Sequence, residues 1–356
     1  MGYRIAFIGT GPEPDNPVWG ESAAMAYRHA PGYRDDDRCE IVSCADLVRE
    51  NAEAFAQEFD IDTNLIFEDY NEMLREIEPD IVSVCTPVPT HAPIVLDCIR
   101  SGILKAIHCE KPMATTWEDA RRMAQEAAKN SIQLTFNHQR RFVSDWREPK
   151  ERIENGEIGE LQRLEVSCGE LLDNGTHYID LANFYNDECS SEWVLGGLDY
   201  RTEHIKYGAH NENHGLAVWA YENGVHGLIS TGVGEEMIGA RNRIIGTDGT
   251  IEVHPAGETG YRIRRSGDED WQMFKSEDEH CDGVKLAIDH VINCLDTGEV
   301  PEISARRALA VTKIIFGAWE SVRQRSRVDF PLTIDDNPLE SMVQSGDINP
   351  VPEEEQ

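Results

Sequence analysis

Short apolar runs alternate with helix-period segments through the first third of this 356-residue chain, and this alternation constrains the fold more than any other feature. The strand-length runs are residues 4–8, 40–45, 64–67, 81–86, 106–109 and 132–136. Runs this continuous suit strands that are buried on both faces, while the segments between them suit crossover helices. The pattern predicts an α/β domain with a doubly wound parallel sheet.

From about residue 160 the alternation gives way to closely spaced strands. Strand-like segments follow one another between 193 and 265, and Asn223-Gly224 and Asp248-Gly249 have the composition of hairpin turns. With two late helical segments, they predict an α+β domain whose open sheet is mostly antiparallel. The predicted division of the chain is 1–137, 138–335 and an acidic tail, 336–356. We expect the segment from Ser341 to Gln356 to be disordered or loosely attached.

The charge of the chain excludes several classes of partner. Asp and Glu number 66 against 33 Lys and Arg, so the formal net charge is −33. Nucleic acid and anionic lipid would repel such a chain, and no apolar run approaches the ~18 residues of a membrane helix. With no secretory signal at the start, we expect a cytoplasmic protein. Lysine is scarce, which indicates a halophile's protein, although an unusually acidic mesophilic protein is the alternative.

A glycine-rich turn follows the first strand. Glycines in the segment Gly9-Thr10-Gly11 let the backbone turn tightly and approach a pyrophosphate at a helix N-terminus. The third glycine of the usual motif would fall at Pro14, and the next candidate is Gly20, after an insertion, Pro12–Trp19. The segment therefore predicts a dinucleotide site, and a turn that needs glycine only for its geometry is the alternative.

Asp46 ends the second strand, where a carboxylate can accept hydrogen bonds from both ribose hydroxyls. The same carboxylate would repel the 2′-phosphate of NADP, so NAD is the favoured cofactor and NADP the alternative. Asp46 could equally cap the helix that follows, and it can do both.

Two segments at the ends of the fourth and fifth strands fall where a nicotinamide would lie, because ligands bind at the carboxyl ends of parallel strands. The predicted cofactor residues there are Thr86, Pro87, His91, Glu110 and Lys111. Lys111 precedes a proline, which restricts its backbone, and a lysine held in this way can reach a substrate oxygen. A solvated surface lysine is the alternative.

A third segment carries a histidine between carboxylates. His177 and Asp180 are spaced to share a helix face, Asp173 precedes the predicted helix, and Thr176 is the predicted cap. A histidine oriented by carboxylates can act as a general base near neutral pH. A core histidine is the alternative. No second His or Cys lies at ligand spacing, so no metal site is predicted.

In this order, the motifs resemble the Gfo/Idh/MocA family of oxidoreductases (glucose–fructose oxidoreductase, inositol dehydrogenase and rhizopine catabolism proteins). The matching segments are Gly9-Thr10-Gly11, Thr86-Pro87 with His91, Glu110-Lys111-Pro112, Glu157–Leu161, Asp173-x-Gly175-x-His177-x-x-Asp180 and Gly246–Thr250. The likeness runs from about residue 3 to 330. It implies a Rossmann domain, a C-terminal α/β domain with an open sheet, and NAD(P)-dependent oxidation or reduction of a sugar-like alcohol.

The resemblance also implies a catalytic set: Lys111, Asp173 and His177. Our hypothesis is that His177 takes the hydroxyl proton, Lys111 stabilises the developing alkoxide and Asp173 orients the substrate or the base. The implied substrate is a sugar, inositol or sugar acid, and the open sheet implies a homodimer or homotetramer. Two alternatives remain: a lyase or hydrolase that uses bound NAD transiently, and a non-catalytic NAD-binding regulator.

Two features depart from the family pattern. The Pro12–Trp19 insertion lengthens the phosphate loop, and the connection between Val166 and Asp173 is short. The short connection leaves open which segment or subunit completes the substrate pocket. Of the pair Arg140-Arg141, which we expect to form ion pairs, one member could face the substrate.

Overall fold

The computed structural model describes residues 2–12, 24–256, 258–275 and 282–352. The chain forms two compact units. The first comprises Met1–Thr115, Asp119–Gln139 and Asp282–Ala308, and the second comprises Thr116–Glu118, Arg140–Cys281 and Leu309–Gln356. Gly20 and all of the predicted insertion except Pro12 lie outside the described residues.

The described strands are β1 (Tyr3–Ile8), β2 (Cys39–Ala45), β3 (Ile66–Phe67), β4 (Ile81–Val84), β5 (Ala106–Cys109), β6 (Gln133–Phe136), β7 (Leu161–Cys168), β8 (Ser191–Asp199), β9 (Ile205–Lys206), β10 (Ala209–His210), β11 (His214–Tyr221), β12 (His226–Thr231), β13 (Ala240–Gly246), β14 (Gly249–Pro255), β15 (Tyr261–Arg265), β16 (Gln272–Phe274) and β17 (Val328–Asp329). The described α-helices are α1 (Met25–Arg34), α2 (Arg49–Glu58), α3 (Tyr70–Ile77), α4 (His91–Ser101), α5 (Trp117–Lys129), α6 (Ser144–Glu154), α7 (Gly175–Tyr185), α8 (Gly283–Thr297), α9 (Ala305–Gln324) and α10 (Pro338–Ser345).

The first unit is built on a six-stranded parallel sheet with the order β3-β2-β1-β4-β5-β6, which confirms the predicted doubly wound fold. Strands β4 and β5 are buried along their whole length, as continuous apolar runs require. Phe7 of β1 packs against Tyr33 and Phe55 of the flanking helices. Helix α8 joins this core late in the sequence, and Ile288 packs so closely on Gly32 that a Cβ there would lie 3.0 Å from its side chain.

The second unit contains a mixed, mostly antiparallel sheet with the order β16-β15-β14-β13-β7-β12-β11-β8-β17, in which β7 and β12 are parallel neighbours. The predicted open antiparallel sheet is therefore confirmed. The strands β9 and β10 form a separate antiparallel hairpin. The described end of the chain differs from the expected loose tail, because Asn337 caps helix α10 and Leu339 and Met342 on that helix are buried.

A row of paired residues runs across the strands on one face of this sheet, and it has an apolar part and a charged part. Its apolar part pairs Val218 with Leu195 and Leu228. Its charged part continues as Glu165, Arg243, Glu252 and Arg262, in which each carboxylate contacts a neighbouring arginine. Among the described helices, none is long and apolar enough to cross a membrane.

Candidate functional site

The predicted cofactor residues lie at the carboxyl ends of the parallel strands. Gly9 follows β1, Asp46 follows β2, Thr86 lies two residues beyond β4, and Glu110 and Lys111 follow β5. Since β2, β1, β4 and β5 are consecutive parallel strands, these residues all lie at the carboxyl ends of the strands, on the same side of the sheet. The structure thus brings the predicted cofactor residues to the same end of the sheet.

Gly9 adopts a conformation that only glycine takes without strain. Its φ is +80°, and a Cβ at this position would lie 2.5 Å from Cγ2 of Thr86. The glycine therefore allows two loops of the site to approach each other, which is a geometric requirement additional to any contact with a phosphate.

The Asp46 carboxylate is turned toward the glycine loop. Oδ2 accepts hydrogen bonds from the backbone N–H of Thr10 at 2.8 Å and of Gly11 at 3.0 Å, while Oδ1 accepts from Val48 N–H at 2.9 Å. The suggested capping role was wrong, because Val48 is the cap residue of α2 and no side chain caps that helix. The Asp46 side chain instead binds the loop before α2 and fixes a negative charge beside the predicted nucleotide loop.

His91 lies between the loop that follows β4 and the loop that follows β5. Its Nδ1 is 2.8 Å from the carbonyl oxygen of Pro112, and its Nε2 is 2.8 Å from that of Thr86. The ring is buried, and burial lowers the pKa of His91, although hydrogen bonding to the carbonyls acts in the opposite direction. His91 therefore braces the segment that contains Lys111 against the segment that contains Thr86.

Glu110 belongs to a buried network that sequence reasoning missed. Its Oε1 is 2.8 Å from Nε2 of His29 and accepts a hydrogen bond from Asn137 at 2.6 Å. Burial alone would lower the pKa of His29, but interactions with Cys85 and Glu110 raise it to about 10. Burial alone would raise the pKa of Glu110, but His29 and Asn137 lower it to about 2. This ion pair fixes the residue before Lys111.

We expect replacement of His29 by Gln to reduce the free energy of unfolding on the order of 3 kcal/mol, because Glu110 would lose its buried cation. The difference should be largest near pH 5–6. The stabilisation from His29 is full below its unfolded pKa near 6.5 and is lost as the pH rises through about 10. The stabilisation from Glu110 is full above its unfolded pKa of about 4.5 and is lost as the pH falls through about 2. Urea unfolding at several pH values, with His226→Gln as an exposed control, measures this; a difference that grows above pH 7 would contradict it.

In the second unit, α7 carries His177 and begins two residues earlier than predicted. The helix starts at Gly175 and Asn174 is its cap residue, so the expectation that Thr176 caps it was wrong. A Cβ on Gly175 would lie 2.9 Å from the carbonyl oxygen of Glu170, so the turn into the helix requires a glycine. Asp173 and His177 are both buried.

Asp180 has a structural partner. Both of its carboxylate oxygens accept from the guanidinium of Arg141, at 2.6 and 2.7 Å, and Arg141 also binds Glu188. Burial acts to lower the pKa of Arg141, but the two carboxylates raise it above its usual value. The expectation of an ion pair at Arg140-Arg141 thus holds for Arg141.

Arg140 packs differently from its neighbour. Its guanidinium lies 4.3 Å from the ring centre of Tyr178, the residue after His177, and 5.6 Å from that of Trp146. Within the described part of the chain, no carboxylate forms an ion pair with it. In so acidic a chain, this leaves a cation beside the start of α7.

The Asp173 carboxylate contacts a residue that the sequence did not single out. Nζ of Lys206 on β9 is 2.8 Å from Asp173 Oδ2. No local motif marks Lys206, because it reaches Asp173 only through the folding of the hairpin. Lys111 belongs to the first unit, whereas Asp173 and His177 belong to the second.

A glycine loop, an acidic residue after β2 and a doubly wound sheet define a Rossmann domain of the NAD-binding class. Comparison with protein families agrees: residues 4–138 match the oxidoreductase family with an NAD-binding Rossmann fold, and residues 150–330 match the C-terminal α/β domain of the same family. The chain belongs to the Gfo/Idh/MocA family of NAD(P)-dependent oxidoreductases.

Curated relatives match at low identity. D-glucoside 3-dehydrogenase of Escherichia coli is 29% identical over 201 residues, which cover 51% of this chain and 53% of the relative. Inositol 2-dehydrogenase of Rubrobacter xylanophilus is 26% identical over 280 residues, which cover 73% of each chain. The chain thus spans about half the length of the first of these relatives.

The fold is shared with solved structures. Aldose–aldose oxidoreductase of Caulobacter crescentus, complexed with glycerol, superposes with a TM-score of 0.74 at 18% identity, covering 93% of this chain and 100% of the other. At this identity the likeness describes the fold and not the substrate.

Proposed function

We propose that this protein transfers a hydride between NAD and a secondary alcohol or ketone of a sugar, inositol or sugar acid. The observation that carries the proposal is the carboxyl end of the parallel sheet, where the glycine loop follows β1, Asp46 follows β2 and Lys111 lies just after β5. The substrate class is supported by the relatives, which are named as glucoside and inositol dehydrogenases.

The residues of the chain divide the work of the reaction. His177 takes the proton of the substrate hydroxyl as general base, and Asp173 holds the substrate or the base in place. Lys111 donates a hydrogen bond to the same oxygen and stabilises its developing negative charge. NAD, held by the glycine loop and Asp46, supplies the hydride acceptor.

Arg140 is proposed to face the substrate. The support is its stacking on Tyr178, next to His177, with no ion-pair partner among the described residues. Arg141 is excluded from this role, because Asp180 and Glu188 occupy its guanidinium in the core.

The first experiment follows absorbance of the reduced nicotinamide in molar KCl, with NAD or NADP and a panel of sugars, inositols and sugar acids. We expect steady reduction of NAD by one member of the panel. Reduced cofactor formed in proportion to product separates net oxidation from a transient use of NAD. NAD binding without turnover across the panel would favour a non-catalytic protein.

Replacement of Asp46 by Ala tests the choice of cofactor. We expect the ratio of kcat/KM for NAD to that for NADP to fall by about tenfold or more, because the carboxylate that favours the ribose hydroxyls and repels a 2′-phosphate is removed. Asp35→Ala, which breaks a surface ion pair of the same unit, is the matched control. An unchanged ratio in Asp46→Ala would contradict the assignment.

We further propose that the nine-stranded sheet joins two copies of the chain into a homodimer or a larger homo-oligomer. The support is the apolar part of its face, where Leu195 and Leu216 are 45% and 50% exposed in the single chain. Leu216→Glu should lower the mass measured by light scattering, whereas Val300→Glu, at an exposed apolar position of the other unit, should not change it.

A further inference from the structure

One segment of the second unit holds the loop that carries Asp173. This segment, residues 205–212, consists of the hairpin β9–β10 and the two residues after it, and we call it the 205–212 segment. Three of its side chains contact the loop that carries Asp173: Lys206, Asn211 and Glu212. The loop itself is short, running from the end of β7 at Cys168 to the start of α7 at Gly175.

Lys206 is shared by two carboxylates of the loop. Its Nζ lies 2.8 Å from Asp173 Oδ2 and 2.9 Å from Glu170 Oε1. Both carboxylates are nearly buried, so their mutual repulsion is weakly screened unless a cation lies between them. Although burial acts to lower the pKa of Lys206, its hydrogen bonds to Asp173 and Glu170 raise it above the usual value. The ammonium therefore offsets the repulsion between the two carboxylates.

The backbone of the loop is held from the same segment. Oε1 of Glu212 accepts the N–H of Leu171 at 2.7 Å, and Oδ1 of Asn211 lies 3.4 Å from the backbone nitrogen of Asp173. Glu212 is wholly buried, and Thr231 and Trp319 donate to its carboxylate at 3.0 and 3.3 Å. The Glu212 side chain is thus held by β12 and α9, and it ties the loop backbone at Leu171 to these two elements.

We propose that Lys206 is a positioning residue for the reaction, which holds the carboxylate of Asp173 in the orientation that the substrate requires. The 205–212 segment then forms the support of the substrate side of the site, which the short connection between Val166 and Asp173 cannot form alone. This inference rests on the proposed function, because it assigns Asp173 to the reaction.

The contacts of Lys206 explain why its loss should slow the reaction. Without the ammonium, Asp173 and Glu170 repel each other, while Glu212 still holds the backbone at Leu171. The Asp173 side chain would then rotate away from its place, and the loop backbone beyond Leu171 would loosen, with little change in the rest of the unit. A displacement of about 1 Å in a group that orients a substrate can cost roughly a hundredfold in rate.

The kinetic test compares Lys206→Met, Lys206→Arg and Lys105→Met. Lys105 is a matched control, because it also forms an ion pair, 2.9 Å from Asp80, in the other unit. We expect Lys206→Met to lower kcat/KM for the alcohol by roughly tenfold to a hundredfold, with the KM for NAD within about twofold of the wild type. Lys206→Arg, which keeps the charge, should recover most of the loss.

Two kinetic results would overturn the inference. One is a Lys206→Met enzyme with the same constants as Lys105→Met. The other is a Lys206→Arg enzyme as slow as Lys206→Met, with both melting at a lower temperature than the wild type, which would indicate a purely structural lysine.

Hydrogen exchange provides a readout that does not need turnover. We expect peptides covering residues 169–176 to exchange roughly fivefold faster in Lys206→Met than in the wild type or in Lys105→Met. Unchanged exchange would overturn the inference even in an active enzyme. If the wild type oxidises no alcohol, the proposed function fails, and the exchange rates alone decide whether Lys206 holds the loop.

Discussion

Lys111→Met and His177→Gln should each reduce kcat by roughly 10²–10⁴-fold while the protein stays folded. Lys111→Met removes the cation that stabilises the developing alkoxide and keeps the aliphatic stem. His177→Gln removes the group that accepts the hydroxyl proton and keeps a polar side chain of similar size. Both losses fall on the chemical step, so we expect kcat to fall more than the KM for the alcohol rises.

Controls for these variants come from the same chain. Lys129→Met changes an exposed lysine of α5, and His226→Gln changes an exposed histidine of β12. Stopped-flow measurement of the reduced nicotinamide gives the rate of the chemical step, and thermal shift with NAD shows whether the cofactor still binds. Near-normal turnover in both Lys111→Met and His177→Gln would refute the catalytic assignment.

Arg141→Met should destabilise the second unit by about 3–5 kcal/mol, which is the largest expected effect on stability. Arg141 and Asp180 are both almost completely buried, and the guanidinium binds the carboxylate through two hydrogen bonds. Removal of the arginine leaves two carboxylates, of Asp180 and Glu188, without their cation. The double variant Arg141→Met/Asp180→Asn should recover part of the lost stability, because one uncompensated charge is then removed.

Urea unfolding in low and in molar KCl measures this prediction. The buried pair is poorly screened, so we expect the loss in Arg141→Met to be similar at both salt concentrations. Arg201→Met is the control, since Arg201 is highly exposed beside Asp199 and its loss should cost less than about 1 kcal/mol. A loss in Arg141→Met as small as that of the control would show that the pair is not an important part of the core.

The sequence predicted the fold well because periodicity reports burial. Strands β4 and β5 are buried on both faces, so they appear as unbroken apolar runs, and hairpin turns such as Asn223-Gly224 mark the antiparallel sheet. Gly9 and Asp46 could be found for a related reason. Both directly follow a strand, and the chemistry expected at the end of a parallel strand is known in advance.

Long-range partners were not predictable in this way. His29 meets Glu110, and Lys206 meets Asp173, across separations of 81 and 33 residues. Neither histidine nor lysine shows in sequence whether its partner is water or a buried carboxylate. The Thr176 cap failed for a local reason: Gly175 permits the close turn against Glu170, so the helix starts before the threonine.

The long strand β8 has only the two-residue β17 beyond it in the sheet. Three more polar groups of β8 are bonded within the same unit: Ser321 Oγ accepts from Gly196 N–H at 2.9 Å, Phe330 N–H donates to Glu192 O at 2.8 Å, and Lys313 Nζ donates to Ser191 O at 3.2 Å. An open strand edge invites strand addition and aggregation. Because these groups are already bonded, this edge of the sheet resists the addition of a further strand even where salt screens the repulsion between acidic molecules.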